Sequence, residues 1–314
     1  MWEDKIRGFM EHCRLCPRNC GANRMEGQRG RCGADARVMV ARAALHMWEE
    51  PCISGAEGSG TVFFTGCSLG CVYCQNRKIS RGEGGREVSI DQLADLFLQL
   101  QDQRANNINL VTAGHYAPQV AAALELARER GLSIPVVYNS SGYETPDTLR
   151  LFEGLVQVYL PDFKYMSPEL AERYSHSRDY VKTAKSALEE MVRQAGSPQF
   201  DARGMMTGGV IVRHLLLPGH VSDSKRVVEY LYQTYGNRIY ISLMNQYTPM
   251  PAMAKDPLLS RRVTRREYER LVDYALSLGV EQGFIQEGET AVESFIPEFN
   301  GEGVAERDDE EKQR

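Results

Sequence analysis

Short apolar runs alternate with longer amphipathic stretches along most of this chain. The runs at 61–65, 108–112, 135–138, 156–160, 209–217 and 239–244 have strand length and apolar character. Between and after them, 90–103, 118–130, 148–152, 168–174, 181–195, 222–234 and 265–278 carry the period of amphipathic helices. Val38 to Met47 alternates residue by residue and reads as a further strand, followed by a turn at Gly55, Gly58 and Gly60. Ser89 and Thr148 can cap helices, with Asp91 or Asp147 near the positive end of the dipole. Strand–helix alternation of this kind implies right-handed crossovers and a parallel sheet. Six such βα units exceed what most open sheets carry, so the expected fold class is α/β, a partial (β/α)6 TIM-like barrel. Its ligands would sit at the C-terminal strand ends.

Residues 11–35 break the pattern. They are rich in Cys, Gly, Arg and Asn, have no useful periodicity, and cannot bury enough apolar surface to fold unaided. The expected organisation is a Cys-rich, metal-binding extension over 1–54, a βα core over 55–300 and a charged, disordered tail over 301–314. The 314 residues suffice for a full core, and 42% hydrophobic with 25% charged residues is ordinary for a globular protein. A net charge of −5 disfavours nucleic acid as the main partner. No apolar run approaches the roughly 20 residues of a membrane span, and the first ten residues hold no apolar signal core, so a cytoplasmic location is expected.

Cysteine usage changes the picture. Of eight cysteines, seven fall in two groups, Cys13, Cys16, Cys20, Cys32 and Cys67, Cys71, Cys74, with Cys52 apart. In a reducing compartment such clustering points to metal or redox chemistry. Cys67-Ser-Leu-Gly-Cys71-Val-Tyr-Cys74 follows directly on the first strand of the repeat, on a βα loop at the functional end of the expected barrel. A cubane cluster needs four ligands, normally all thiolates. Three cysteines leave one iron open, and the amino and carboxylate groups of a methionine moiety suit it, which sets a sulfonium beside the cluster. The competing reading is a zinc site short of one ligand.

These residues resemble a known family. "CRLCPRNCGANR…GQRGRCG", "EEPCISGAEGSGTVFFTGCSLGCVYCQN" and "YLPDFKY", with the weaker "NLVTAGHY", "VYNSSGYE", "RHLLLPGH" and "LMNQYTPM", are similar to the radical SAM enzymes, and within them to the pyruvate formate-lyase activating-enzyme-like (PflX-type) branch. The resemblance implies a barrel of the radical SAM type, a [4Fe–4S] cluster on Cys67, Cys71 and Cys74, and S-adenosylmethionine (SAM) as cofactor. By the same resemblance Tyr73 borders the adenine and Asn76 belongs to the post-cluster "CxN". Where the family carries Gly-Gly-Glu for the methionine amino group, this chain reads Ala113-Gly114-His115, a departure that leaves His115 as a neutral acceptor. Asn139 and Ser140 stand in the place of an Asp-Thr-Asn-Gly stretch, whose acid helps to build a cation site in the family, and Asn139 carries no such charge. Asp162 and Lys164 match an Asp-x-Lys whose lysine contacts the methionine carboxylate. Two apart on a strand, they also point to one face. Arg213 can fork onto the same carboxylate, and Gln246 lies near a SAM-contacting histidine of the family.

Cys13-x2-Cys16-x3-Cys20-x11-Cys32 offers four thiolates to structural zinc or to a second iron–sulfur cluster, alternatives that the sequence leaves open. Cys52 reads as a buried free thiol. The expected reaction is reductive cleavage of SAM to a 5′-deoxyadenosyl radical. In the activase reading the radical takes a hydrogen from a glycyl-radical enzyme, with a flavodoxin- or ferredoxin-type electron donor. The alternatives are radical modification of another peptide or small molecule and, from a different class, a non-catalytic metal scaffold.

Overall fold

A computed structural model describes residues 2–286 and 297–304. The strands are β1 Val38–His46, β2 Ser59–Phe64, β3 Arg86–Val88, β4 Ile108–Val111, β5 Val136–Ser140, β6 Val158–Pro161, β7 Gln199–Phe200, β8 Met206–Leu215, β9 Tyr240–Met244 and β10 Gly283–Ile285. The helices are α1 Trp2–Glu11, α2 Pro51–Ser54, α3 Arg77–Ser80, α4 Ile90–Asp102, α5 Ala117–Glu129, α6 Pro146–Arg150, α7 Pro168–Ser175, α8 Tyr180–Ala195, α9 Val221–Tyr235 and α10 Arg265–Leu278. Among the described residues the strands form one mostly parallel sheet in the order β10-β9-β8-β6-β5-β4-β2-β1-β3, with β7 hung on β8. From β2 to β10 all neighbours on this path are parallel, while β1 pairs antiparallel with both β2 and β3. The fold class is therefore α/β, as the alternation predicts.

Strand alternation divides the side chains between two faces. Ile108, Leu110, Val136, Tyr138, Tyr159, Val210 and Val212 point to the main core and meet Phe97 of α4, Val120 and Leu124 of α5 and Leu188 of α8. The intervening Val137, Val158, Leu160 and Ile211 point to the other face, where Cys52 and Ile53 of the short helix α2 cover them. Cys52 is a buried free thiol in this plug. Above the plug the inner face turns polar, with Asn109, Asn139 and Arg213 two residues on from or beside these apolar positions.

The structure alters several expectations. Capping of α4 by Ser89 is realised as a full capping box with Gln92, but α6 starts earlier than expected and is capped by Thr145 rather than Thr148. Pro146 explains the shift, because its fixed φ favours the first helical position. Helix α1 has no counterpart in the sequence reading, since its apolar positions are few and only Met10 is buried. The strand at 38–46 is built into the main sheet rather than standing in a separate extension over 1–54. The head of the expected tail is also ordered: Val304 is 3% exposed, and Ala43 donates its N–H to the Glu302 carbonyl at 2.9 Å. Residues 305–314 lie outside the described residues.

Phe97 is fully buried in the main core. Phe97→Ala is expected to cost about 3–5 kcal/mol through the cavity it leaves, read as a lower urea midpoint at unchanged slope.

Candidate active site

At the C-terminal ends of the parallel strands lies a cavity walled by Cys71, Tyr73, Cys74, Asn76, Asn139, Asp162, Lys164, Arg213 and Gln246, with His46, Trp48, Glu49 and Met244 among the other residues that line it. The chain leaves β2 through Thr65 and Gly66. Gly66 has φ +100, and a Cβ there would stand 2.6 Å from the Cys32 carbonyl oxygen and 2.9 Å from His115 Nε2. Only glycine fits this corner. The loop beyond it is tied down on several sides. Cys67 donates its N–H to the Cys32 carbonyl (3.2 Å) and Val72 to the Tyr174 carbonyl (2.9 Å). Ser175 Oγ donates to Cys71 Sγ at 3.1 Å, and Tyr73 shares a 2.7 Å hydroxyl hydrogen bond with Tyr165. Burial pushes the Cys67 thiol up to about 12, with the fields of Cys71 and Cys74 adding to it.

The floor of the cavity is a chain of charges. Lys164 Nζ meets Asp162 Oδ2 at 2.6 Å, Arg213 Nε meets Asp162 Oδ1 at 3.1 Å, and Arg213 Nη1 meets Glu49 Oε2 at 3.0 Å. Glu49 also accepts from Asn109 Nδ2 (3.0 Å) and Asn139 Nδ2 (3.2 Å), while Arg213 donates to Asn139 Oδ1. Burial would raise the Asp162 carboxyl, but Lys164 and Arg213 outweigh it and hold it below the usual carboxylate range. Burial likewise works against the Lys164 ammonium, and Asp162 with the Cys71 and Cys74 thiols overcomes it and raises its pKa. The lysine therefore stands in the field of the thiols as well as of the carboxylate. Two acids and two bases give a surface with no net charge that presents both signs, which suits a zwitterion.

Cys67 lines a neighbouring cleft with Cys71 rather than this cavity, and His115 and Ser140 lie elsewhere. The His115 ring is 4% exposed behind the β2 corner, with Nε2 2.9 Å from the Thr65 carbonyl oxygen. Burial, helped by Arg24, drives its pKa down to about 3 and keeps it neutral. Ser140 Oγ donates to Glu144 Oε2 at 3.1 Å and accepts from the Gly142 N–H. Neither wall position belongs to these two. Glu49 is the residue that sequence reasoning missed. Its signal was the Glu49-Glu50 pair before Pro51, a motif with no spacing to mark it as part of a strand-end site.

Residues 61–231 match the radical SAM superfamily. The chain belongs to that superfamily. As a radical SAM protein it is an enzyme of SAM-dependent radical chemistry, and the family implies a [4Fe–4S] cluster with SAM. It is 27% identical over 277 residues to an uncharacterized protein of Methanocaldococcus jannaschii, a match covering 86% of this chain and 75% of that one. Among solved structures, Streptococcus suis SuiB bound to the precursor peptide SuiA matches at a TM-score of 0.47 and 14% identity, over 71% of this chain and 46% of SuiB. Among the described residues no helix is long and apolar enough to cross a membrane.

The thiols of the β2 loop fit the family's cluster. Three cysteines stand on one short loop, each of the other two raising the Cys67 thiol, and no fourth thiol joins them. Cys52 is in the plug under the sheet, and the Cys32 thiol turns to Cys13, Cys16 and Cys20. Among the described residues no three Cys, His, Asp or Glu side chains are drawn close enough to hold a single ion, in either cysteine group.

Behind Ser140, burial raises the Glu144 carboxyl to about 8. The unfolded chain releases this proton near pH 4.5 and the folded one only near 8, so stability falls as pH rises between those values. Glu144→Gln is expected to flatten that decline, seen in urea midpoints measured from pH 5 to pH 8.

Proposed function

We propose that this enzyme cleaves SAM reductively, with Cys67, Cys71 and Cys74 as the three protein ligands of a [4Fe–4S] cluster. When bound, the cluster supplies one electron to the SAM sulfonium, giving methionine and a 5′-deoxyadenosyl radical. The observation that carries the reading is the cysteine loop, with Cys71 and Cys74 facing the Glu49–Arg213–Asp162–Lys164 floor. Lys164 and Arg213 receive the methionine carboxylate, the second through its planar fork. Asp162 and Glu49 hold both cations in place and face the amino group. Tyr73, fixed by Tyr165 and edge-on to Tyr174 and Tyr247, borders the adenine, with Asn76 and Gln246 as polar neighbours. The sheet serves as a partial barrel open to a partner, and Trp48, 62% exposed at the cavity mouth, offers an aromatic surface to it.

Within this reading the chain is activating-enzyme-like, of the PflX type. It takes a hydrogen from a partner protein of the glycyl-radical class, and a cytoplasmic flavodoxin- or ferredoxin-type protein supplies the electron. The support for this finer step is the motif resemblance.

Anaerobic reconstitution with iron and sulfide, then addition of SAM and reductant, is expected to yield 5′-deoxyadenosine. Single Cys67→Ala, Cys71→Ala or Cys74→Ala variants should abolish the product, and Asp162→Asn should raise the SAM concentration needed. A wild-type protein with a full cluster that forms no 5′-deoxyadenosine would refute the reading. A glycine-centred doublet in the paramagnetic resonance spectrum of a co-expressed glycyl-radical enzyme tests the activase step.

A further inference from the structure

The Tyr73–Tyr165 and Ser175–Cys71 hydrogen bonds at the cavity wall are the two ends of one chain. Between them the hydroxyls of Tyr165 and Ser175 stand 2.9 Å apart. Four residues from three parts of the sequence are thus joined without a break, from the Tyr73 hydroxyl through Tyr165 and Ser175 to the Cys71 sulfur. Tyr73, Tyr165 and Ser175 are all buried, so water does not compete for these bonds.

The direction of the chain follows from counting protons. A hydroxyl has one proton to give. Ser175 spends its proton on the sulfur, so it can only accept from Tyr165. Tyr165 then has none left for Tyr73 and must accept from it. All three O–H bonds therefore point one way, from the wall beside the proposed adenine site toward the Cys71 sulfur. Hydrogen bonds aligned head to tail strengthen one another, most of all where the local dielectric is low. The Tyr73 hydroxyl is committed to this chain, which leaves its ring to face the cavity.

The Ser175 hydroxyl is held in place from several sides. Ser175 is the last residue of α7, and His176 after it turns left-handed, at φ +51, to close the helix. That region is uncommon for a residue other than glycine and persists where the surroundings impose it. Here His176 donates its N–H to the Glu172 carbonyl (3.0 Å) and Ser177 to the Ala171 carbonyl (3.3 Å). Arg18 then fastens the turn to the cysteine loop. Its guanidinium donates to the carbonyls of Ser175 (3.1 Å) and His176 (2.6 Å) on one side. On the other it donates to those of Ser68 (3.1 Å) and Leu69 (3.2 Å), between Cys67 and Cys71. A planar fork shared among four carbonyls fixes the spacing of Ser175 and Cys71.

The other two thiols of the loop are served differently. The N–H groups of Leu69 and Gly70 face Cys67, and that of Asn76 faces Cys74. Main-chain donors of this kind survive a change of side chain. The donor to Cys71 is a side chain, so its presence depends on which residue stands at 175.

We propose that Ser175, aligned by Tyr165, is a positioning residue that sets the electron affinity of the cluster through the Cys71 sulfur. The inference rests on the reading of Cys67, Cys71 and Cys74 as cluster ligands. Hydrogen bonds to the sulfurs are among the quantities that set the potential of an iron–sulfur cluster. A proton aimed at a ligand sulfur stabilises the more negative, reduced form above the oxidised one, because bonds to charged acceptors are the stronger ones. The hydroxyl chain thus favours uptake of the electron that the reaction consumes.

A redox titration of the reconstituted full chain, followed by the paramagnetic signal of the reduced cluster, tests this. Ser175→Ala is expected to lower the potential by about 59 mV, which is a tenfold shift of a one-electron equilibrium. Tyr165→Phe keeps the donor but removes its alignment, and should lower the potential by less, with the same sign. Ser175→Thr keeps the hydroxyl and should restore the wild-type value. A purely structural role at 175 would change stability without this order of potentials. If Ser175→Ala does not fold or load, Tyr165→Phe carries the test, and an unchanged potential there overturns the inference. A full cluster with one potential in wild type, Ser175→Ala and Tyr165→Phe overturns it and leaves the cysteine reading intact. A wild-type protein with no cluster on the three cysteines overturns that reading, and the inference with it.

Discussion

Four half-buried charges in a row, Glu49, Arg213, Asp162 and Lys164, are the constraint on which the functional end of this molecule depends. None of them could be desolvated alone, because an isolated buried charge is far costlier than a paired one. They arrive from three parts of the chain: Glu49 from the link between β1 and α2, Arg213 from β8, and Asp162 and Lys164 from just beyond β6. Satisfying them therefore fixes where those parts meet. Asp162 is held twice more by its backbone, through its N–H to the Ser140 carbonyl and its bridge to Arg213. The plug of α2 below the row keeps water from the inner face, so the charges meet in a setting where their attraction is strong.

The row also orders the cavity above it. With both signs present and no net excess, it gains little from binding a simple cation or anion and more from a ligand carrying both charges at fixed spacing. The cysteine loop closes the same cavity from the β2 side, and Lys164 lies in the field of its thiols. The carboxylate floor and the thiols therefore share one ammonium group. The N-terminal segment then enters as support rather than as a wall, gripping the loop from behind through Arg18 and the Cys32 carbonyl.

Much of this was legible in the sequence. The period of the βα repeat located nearly every element of the parallel sheet, and the CxxxCxxC spacing placed three thiols on the loop after β2. Asp162 and Lys164 were expected on one face of a strand, but β6 ends at Pro161, and it is their salt bridge that brings them together. Glu49 escaped because a loop residue has no period to reveal which face it crosses. His115 was drawn toward the ligand by its place after β4. The structure puts it behind the β2 corner because the 3-10 turn at Gly114–Tyr116 rotates its ring away toward Thr65. Helix α1, tied to Glu125 through Trp2, and the packing of 301–304 on β1 involve contacts far along the chain, which no local pattern announces.

The central claim is that SAM binds directly at the open iron of a cluster held by Cys67, Cys71 and Cys74 in this cavity. It is tested most directly by the paramagnetic resonance spectrum of the reduced, reconstituted protein before and after SAM is added. The account predicts that SAM changes the cluster signal in the wild type, and that it couples magnetically when its methionine amino group carries nitrogen-15. A reduced cluster whose signal is unmoved by saturating SAM, with no such coupling, would contradict it.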